Sequence, residues 1–192
     1  MKSEAVGRRT TLSCRPCRPH RKQRGKLMIL PMEAIFAGSA MGSRVSAKYK
    51  GAMPFVSVTR LRVRALRYLP AFSFNALRAA RQAKTAPGNL AVSLLADSNF
   101  AFWTRTLWND QDAMRAFMLS GAHRRMMPRL LNWCDEAAVA HWMQDSLKTP
   151  SWQEVHGRMQ TQGRRSNVNH PSEAQQRFEI PLPRTTTGLK LK

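Results

Sequence analysis

Acidic residues are scarce in this chain: 11 Asp and Glu stand against 32 Lys and Arg over 192 residues, a formal charge of +21. Cysteine is scarcer. Three cysteines cannot form an even disulfide framework, which argues against a disulfide-stapled secreted scaffold. Long apolar runs are missing too: the longest candidate, residues 27–41, is broken by Pro31 and Glu33, and a spanning helix needs roughly 20 apolar residues. The same two residues spoil the apolar core that a signal peptide would need between Lys22 and Gly38-Ser39-Ala40. A cytoplasmic, reducing location without a membrane partner is the expectation. No glycine-rich phosphate loop, nucleophile elbow or Cys/His/carboxylate set with metal spacing occurs. Cys14-Arg-Pro-Cys17 with His20 is half a zinc site whose second half is missing.

What is present suffices for one compact domain: 43% hydrophobic residues, with five Trp and eight Phe. The charge is unevenly spread, at +10 over residues 1–52, +7 over 53–160 and +4 over 161–192. Residues 1–52 string basic side chains among Pro, Ser and Gly without an apolar period, so they read as a disordered basic extension. Such an arm binds phosphate electrostatically, but it lacks the interleaved aromatics of a base-stacking surface, so no specific nucleic acid is expected as a partner. Patterned sequence starts at Met53-Pro54-Phe55, which suggests a native start at Met53 and an over-extended reading frame upstream.

From Phe55 to Val63 the chain is β-branched and partly alternating, as in a strand. Pro70 suits a first helical turn, and Phe72, Ala76, Ala79 and Ala83 recur at helical spacing opposite Asn75, Arg78 and Gln82. After Pro87-Gly88 come two strand-like runs, 89–97 and 100–108, joined at Asp97-Ser98-Asn99 as a hairpin. Asn109 can cap a helix carrying Met114, Phe117 and Met118, and Ser120-Gly121 opens another that Pro128 should kink. A strand over 137–144 follows. Ser151 with Glu154 makes a capping box for a last helix that Gly163 stops, and 164–192 reads as a flexible tail. The fold class is therefore α+β, a ferredoxin-like βαββαβ domain over 53–163 with an extra C-terminal helix. Because Phe102 and Trp108 lie on one face of the hairpin and Trp103 and Leu107 on the other, the second sheet face is expected to meet another subunit in a homodimer.

The stretch from Trp103 through Trp108, Phe117, Ser120, His123 and Arg124 resembles the antibiotic biosynthesis monooxygenase-like superfamily, the dimeric α/β barrels. The shared features are a strand ending in Trp, an acidic helix start, an aromatic about nine residues on and a Ser-x-x-His-Arg step. The resemblance covers Met53 to about Gln160 and looks closest to uncharacterised bacterial proteins of the spheroidene monooxygenase-like type. It implies a small-molecule enzyme acting on an apolar or aromatic substrate in a pocket between sheet and helices, of the cofactor-independent monooxygenase type. The competing reading is a non-catalytic dimeric binding protein of the same fold.

His123 is the candidate proton acceptor, since Ser120 as N-cap places it in a first turn, where the helix dipole disfavours imidazolium. Its plainer reading is packing at a helix start. Trp108, Trp103 and Arg105 are the candidate substrate contacts, an indole and a guanidinium being able to orient an aromatic or anionic molecule, with core or interface packing as the alternative. Cys134, beside Asp135 and Glu136, lacks the electropositive setting of a reactive thiol. His141 reads as a core or interface histidine. No cofactor is expected, and haem is the one worth testing. In the haem-degrading branch a helix His binds iron, but His123 falls about one turn short of that spacing and the first strand lacks that branch's Asn.

Overall fold

The computed structural model describes residues 53–184 and 189–192. The expectations for residues 1–52, the basic extension, the half zinc site and the Met53 start, lie outside the described residues. The elements are β1 (Phe55–Val63), α1 (Leu69–Thr85), β2 (Asn89–Ala96), β3 (Ala101–Trp108), α2 (Gln111–Met118), α3 (Gly121–Trp133), β4 (Cys134–Met143), α4 (Trp152–Gln162), β5 (Arg164–Arg165), α5 (Glu173–Arg177) and β6 (Leu189–Lys190). Strand order is β5-β4-β1-β3-β2-β6 and every pairing is antiparallel. Its centre is the βαββαβ arrangement read from the sequence.

Local chemistry sets the boundaries. Pro70 sits in the first turn of α1, where its missing amide costs nothing. Asp110, one residue after the expected Asn109, caps α2 by accepting the Ala113 amide at 2.7 Å. Asp110 has the extended backbone that brings a short carboxylate onto that amide. Ser151 caps α4 by accepting the Glu154 amide at 3.1 Å, and Gly163 ends it. The α3 helix continues through Pro128, and β4 starts three residues earlier than its apolar alternation suggests.

Register separates the two sheet faces. Phe55 pairs with Trp108, Ser57 with Thr106, Thr59 with Thr104 and Leu61 with Phe102, so these share one face. At the Val63 end of this face Phe72 and Met126 pack against Val63 and Cys134, with Phe72 4.8 Å from Phe102 between ring centroids, which places α1 and α3 over it. The other face carries Val56, Val58, Trp103, Leu107, Ala138, Ala140 and Trp142. Trp152, Val155 and Met159 of α4, together with Ile180, seal it into the main core.

Two expectations are corrected here. The second sheet face is not left for another subunit, because α4 and the following segment cover it within the chain. The segment from Arg164 is not a flexible tail among its described residues. Gln175 accepts from the Ala137 amide at 3.1 Å and donates to the Ala137 carbonyl at 3.0 Å, so one side-chain amide does the work of a neighbouring strand. Ile180 and Leu191 are buried. The domain thus runs beyond Gly163.

Candidate functional site

A sheet face beneath helices is normally apolar, yet the middle of the α1/α3 side carries a polar row. Thr106 on β3 neighbours Ser57 on β1, which neighbours His141 on β4, and Thr104 neighbours Thr59 in the adjacent row. Ser57, Thr59, Thr104 and His141 are half-buried rather than sealed. Their hydroxyls and ring nitrogens make no hydrogen bond among the described residues. Polar groups in such a position require water or a ligand. The α1/α3 side of the sheet therefore carries a row of groups open to hydrogen-bond water or a polar molecule.

An aromatic cluster lies at one end of the row. Trp108 is fully buried and donates Nε1–H to Thr106 Oγ1 at 2.8 Å, while that hydroxyl donates to the Ser57 carbonyl at 3.1 Å. Phe117 of α2 lies 5.1 Å from Trp108 and 4.8 Å from His123, centroid to centroid. These tilted rings put Trp108 and His123 on either side of Phe117.

The start of α3 holds His123 in an unusual way. Ser120 is the N-cap residue, but its hydroxyl turns back to the Phe117 carbonyl and does not cap. Gln82 of α1 caps instead: its Oε1 accepts the His123 amide at 3.0 Å, and its Nε2 donates to Ser120 Oγ at 3.0 Å and to the Ser120 carbonyl at 3.1 Å. Gly121 makes room, since a Cβ there would stand 2.6 Å from Gln82 Oε1 and its φ of +54° suits glycine. The His123 ring bonds through Nδ1 to the Met118 carbonyl at 3.1 Å. A carbonyl only accepts, so Nδ1 carries the proton of the neutral ring and Nε2 keeps the lone pair. Burial pushes the His123 pKa below its usual value, with the Met118 bond opposing more weakly. A neutral base at pH 7 follows.

The other two candidate contacts lie elsewhere. Trp103 and Arg105 face α4, on the opposite side of the sheet from Trp108 and His123. Trp103 is 1% exposed and belongs to the core. Arg105 donates to the Pro150 carbonyl and to Ser93 Oγ, and its guanidinium lies 4.3 Å from the Trp152 ring centre. Burial drops its pKa to about 10, with Glu154 opposing. The guanidinium fastens the loop ahead of α4 to the sheet, and neither residue is on the side of Trp108 and His123. Alternation along β3 had put the pair together on one face; which face was undecided because both are apolar. Cys134 is buried and its thiol is pushed up to about 12, first by burial and then by Asp135, so it is unreactive at neutral pH.

Sequence reasoning missed the polar row and the part played by Gln82. The row was visible as Ser57, Thr59, Thr104 and Thr106 at alternate strand positions, but it acquires meaning only through cross-strand register. On the far side an open cleft of about 510 Å³ is lined by Arg60, Arg62, Asp97, Glu136, Phe178 and Ile180. Its charges satisfy one another: Arg60 reaches Glu136 at 2.5 Å, Arg62 reaches Asp135 at 2.8 Å and Glu136 at 2.7 Å, and Asp97 accepts the Ser98 and Arg184 amides. Among the described residues no cluster of three His, Cys, Asp or Glu could hold a metal ion, and no helix is long and apolar enough to cross a membrane.

No curated protein matches the chain significantly. Solved structures with similar folds include a conserved protein from Methanosarcina mazei Go1 (11% identity, 49% of this chain and 95% of that one, TM-score 0.44). A candidate antibiotic biosynthesis monooxygenase from Nitrosomonas europaea is similar at 14% identity, over 50% of this chain and 95% of that one, with a TM-score of 0.45. A variant of SnoaB, a cofactor-independent oxygenase from Streptomyces nogalater, is similar at 19% identity, over 51% and 97%, with a TM-score of 0.41. Residues 71–179, from the first turn of α1 to the segment beyond α5, match the family described as a domain of unknown function, DUF3291. That is more than half of the chain, and the protein belongs to the DUF3291 family.

Proposed function

We propose that this protein is a monooxygenase-like small-molecule enzyme that takes an apolar or aromatic substrate into the recess between the sheet and helices α1 to α3. Phe117, backed by the fully buried Trp108, forms the wall, Ser57, Thr59 and Thr104 receive the substrate's oxygen atoms, and His123 accepts the proton. The observation that supports this reading is the His123 ring, whose Nδ1 is committed to Met118 and whose Nε2 makes no hydrogen bond among the described residues. A buried neutral imidazole beside an aromatic wall is suited to general-base chemistry.

The reaction that fits needs no group beyond the substrate and oxygen. An electron-rich substrate with an acidic C–H, such as an anthrone, gives that proton to His123 Nε2. The resulting carbanion transfers one electron to dioxygen, and the radical pair joins to form a C–O bond. The peroxide anion recovers a proton from the imidazolium, and loss of water leaves the quinone. Atoms balance as anthrone plus dioxygen giving quinone plus water. The protein's share is orientation, desolvation and the proton relay.

Oxygen uptake with anthrone as the probe tests this. The wild type should consume oxygen and form anthraquinone, and His123→Ala should lower kcat by about 100-fold or more. Unchanged turnover in His123→Ala would overturn the assignment of the base. Probe binding, seen as quenching of Trp fluorescence, without oxygen uptake would replace the enzyme by a binding protein.

A further inference from the structure

Residues 53–192 carry a net charge of +11, and +7 of it comes from one place. Over residues 53–160 there are seven more Lys and Arg than Asp and Glu, and α1, α3 and the turn before α1 together hold seven Lys and Arg and no Asp or Glu: Arg67, Arg78, Arg81, Lys84, Arg124, Arg125 and Arg129. The remainder of 53–160 is balanced, with seven basic and seven acidic residues. All seven of these cationic residues are exposed. The two helices pack side by side, and their outer stripes form one layer over the recess side of the sheet. An ordinary solvated surface mixes both signs, so a two-helix layer without any acid is a field with a direction.

Large apolar side chains protrude from the same layer. Phe74 on α1 is 60% exposed, and Met127 on α3, Leu66 just before α1 and Leu119 just before α3 are exposed as well. Arg78 lies over the Phe74 ring at 5.5 Å, so cation and apolar group are presented together. Phosphodiester backbone has no use for protruding aliphatic side chains, and a single exposed aromatic is too few to stack successive bases. A bilayer surface uses both, with guanidinium on lipid phosphate and Phe, Leu and Met at the acyl boundary.

We infer that the outer face of α1 and α3 docks the protein on an anionic membrane surface, with the arginine stripes on lipid headgroups and Phe74, Met127, Leu66 and Leu119 entering the interface. This peripheral contact needs no membrane-crossing helix. It also places the recess side of the domain toward the bilayer.

The test is partition of the full chain onto vesicles of equal parts phosphatidylcholine and phosphatidylglycerol, measured by co-sedimentation, against vesicles of phosphatidylcholine alone. Binding should require phosphatidylglycerol, and the triple change Arg124→Glu, Arg125→Glu, Arg129→Glu should lower partition on the order of 100-fold, each surface cation contributing about fivefold. The triple change Lys148→Glu, Arg158→Glu, Arg177→Glu alters net charge equally away from the layer and should change partition by less than about threefold. Phe74→Ser with Met127→Ser should lower partition about tenfold and leave binding to a short DNA duplex unchanged. Equal losses from the two charge triples would overturn the assignment of this face. Tight duplex binding with no lipid preference, or indifference to the Phe74 and Met127 changes, would replace the membrane by nucleic acid.

Discussion

The two faces of one sheet are built on opposite plans. Away from α1 and α3, Val56, Val58, Trp103, Leu107 and Trp142 meet Trp152, Val155 and Met159 of α4 in a sealed apolar layer. Toward α1 and α3 the same three strands present Ser57, Thr59, Thr104 and His141, half-buried and without hydrogen-bond partners among the described residues. Both faces come from the same alternating residues, so composition does not separate them. The cover does. Closing one face with its own helix gives this chain a dry core that carries stability, and leaves the other face free to carry half-buried hydroxyls among its apolar residues. A domain that had to keep its far face apolar for a second subunit would carry a different surface there.

The largest effect expected from this contrast comes from uncovering the dry face. Ending the chain at Gly163 removes Gln175, which completes the β4 edge at Ala137, and the buried Ile180 and Leu191. Each buried apolar side chain is worth about 1.5–3 kcal/mol, so the loss should exceed about 3 kcal/mol in urea unfolding. Light scattering should then show self-association through the bared apolar surface. A truncated chain that stays monomeric with its urea midpoint unchanged would show that 164–192 adds nothing to the core.

Paired substitutions on neighbouring β3 residues sharpen the comparison. Trp103→Ala on the dry face should cost about 3–5 kcal/mol, since the ring is fully enclosed and its cavity cannot collapse. Thr104→Val on the wet face should cost less than about 1 kcal/mol, because its hydroxyl has no partner to lose. That same change should weaken anthrone binding in the Trp-quenching titration. Equal stability losses at the two positions would mean that the helix side is as tightly packed as the far side.

How much of this was legible follows from what kind of signal each part carries. The βαββαβ core was readable because β1, α1 and the β2–β3 hairpin have long periods and strong punctuation at Pro70, Pro87-Gly88 and Asp97-Ser98. The Ser151/Glu154 capping box announced α4, but nothing announced where α4 packs, since apolar residues on both faces of β3 fit a second subunit as well as an added helix. The segment after Gly163 was unreadable for a physical reason. A two-residue strand, a five-residue helix and single buried side chains at Gln175, Ile180 and Leu191 have no period. Of the site, His123 and Trp108 were legible as a strand-end aromatic and a helix-start histidine, whereas Gln82 acts across 41 residues of sequence. For Trp103 and Arg105, alternation gave co-facing residues without saying which cover they meet.

A smaller effect is expected with pH. Burial lowers the pKa of His123 and of His141, the latter also by the nearby Arg164. Both rings take up a proton more readily in the unfolded chain, where the ordinary value is about 6.5. Between that value and the lowered folded values the unfolded state therefore binds more protons, and unfolding free energy rises with pH. Stability is complete above about pH 6.5 and falls as pH drops through the folded values. Urea midpoints for His123→Gln and His141→Gln should each flatten this slope. A slope unchanged in both variants would place the proton uptake on other groups.

The smallest expected effect is that of haem, because it asks the wet face to behave like the dry one. A macrocycle needs an enclosed apolar slot and an axial nitrogen facing iron. The sheet surface here is the polar row of Ser57, Thr59 and Thr104, and His123 packs its ring 4.8 Å from Phe117. His141 lies on the strand floor with its ring 5.5 Å from Phe55, so iron bound there would set the macrocycle among hydroxyls. Hemin titrated into the full chain should give only weak, non-saturating absorbance changes that persist in His123→Ala. Saturation near one haem per chain, lost in His123→Ala, would show that the helices close over the recess to form an apolar slot. The contrast between the faces would then be one of ligand rather than of packing.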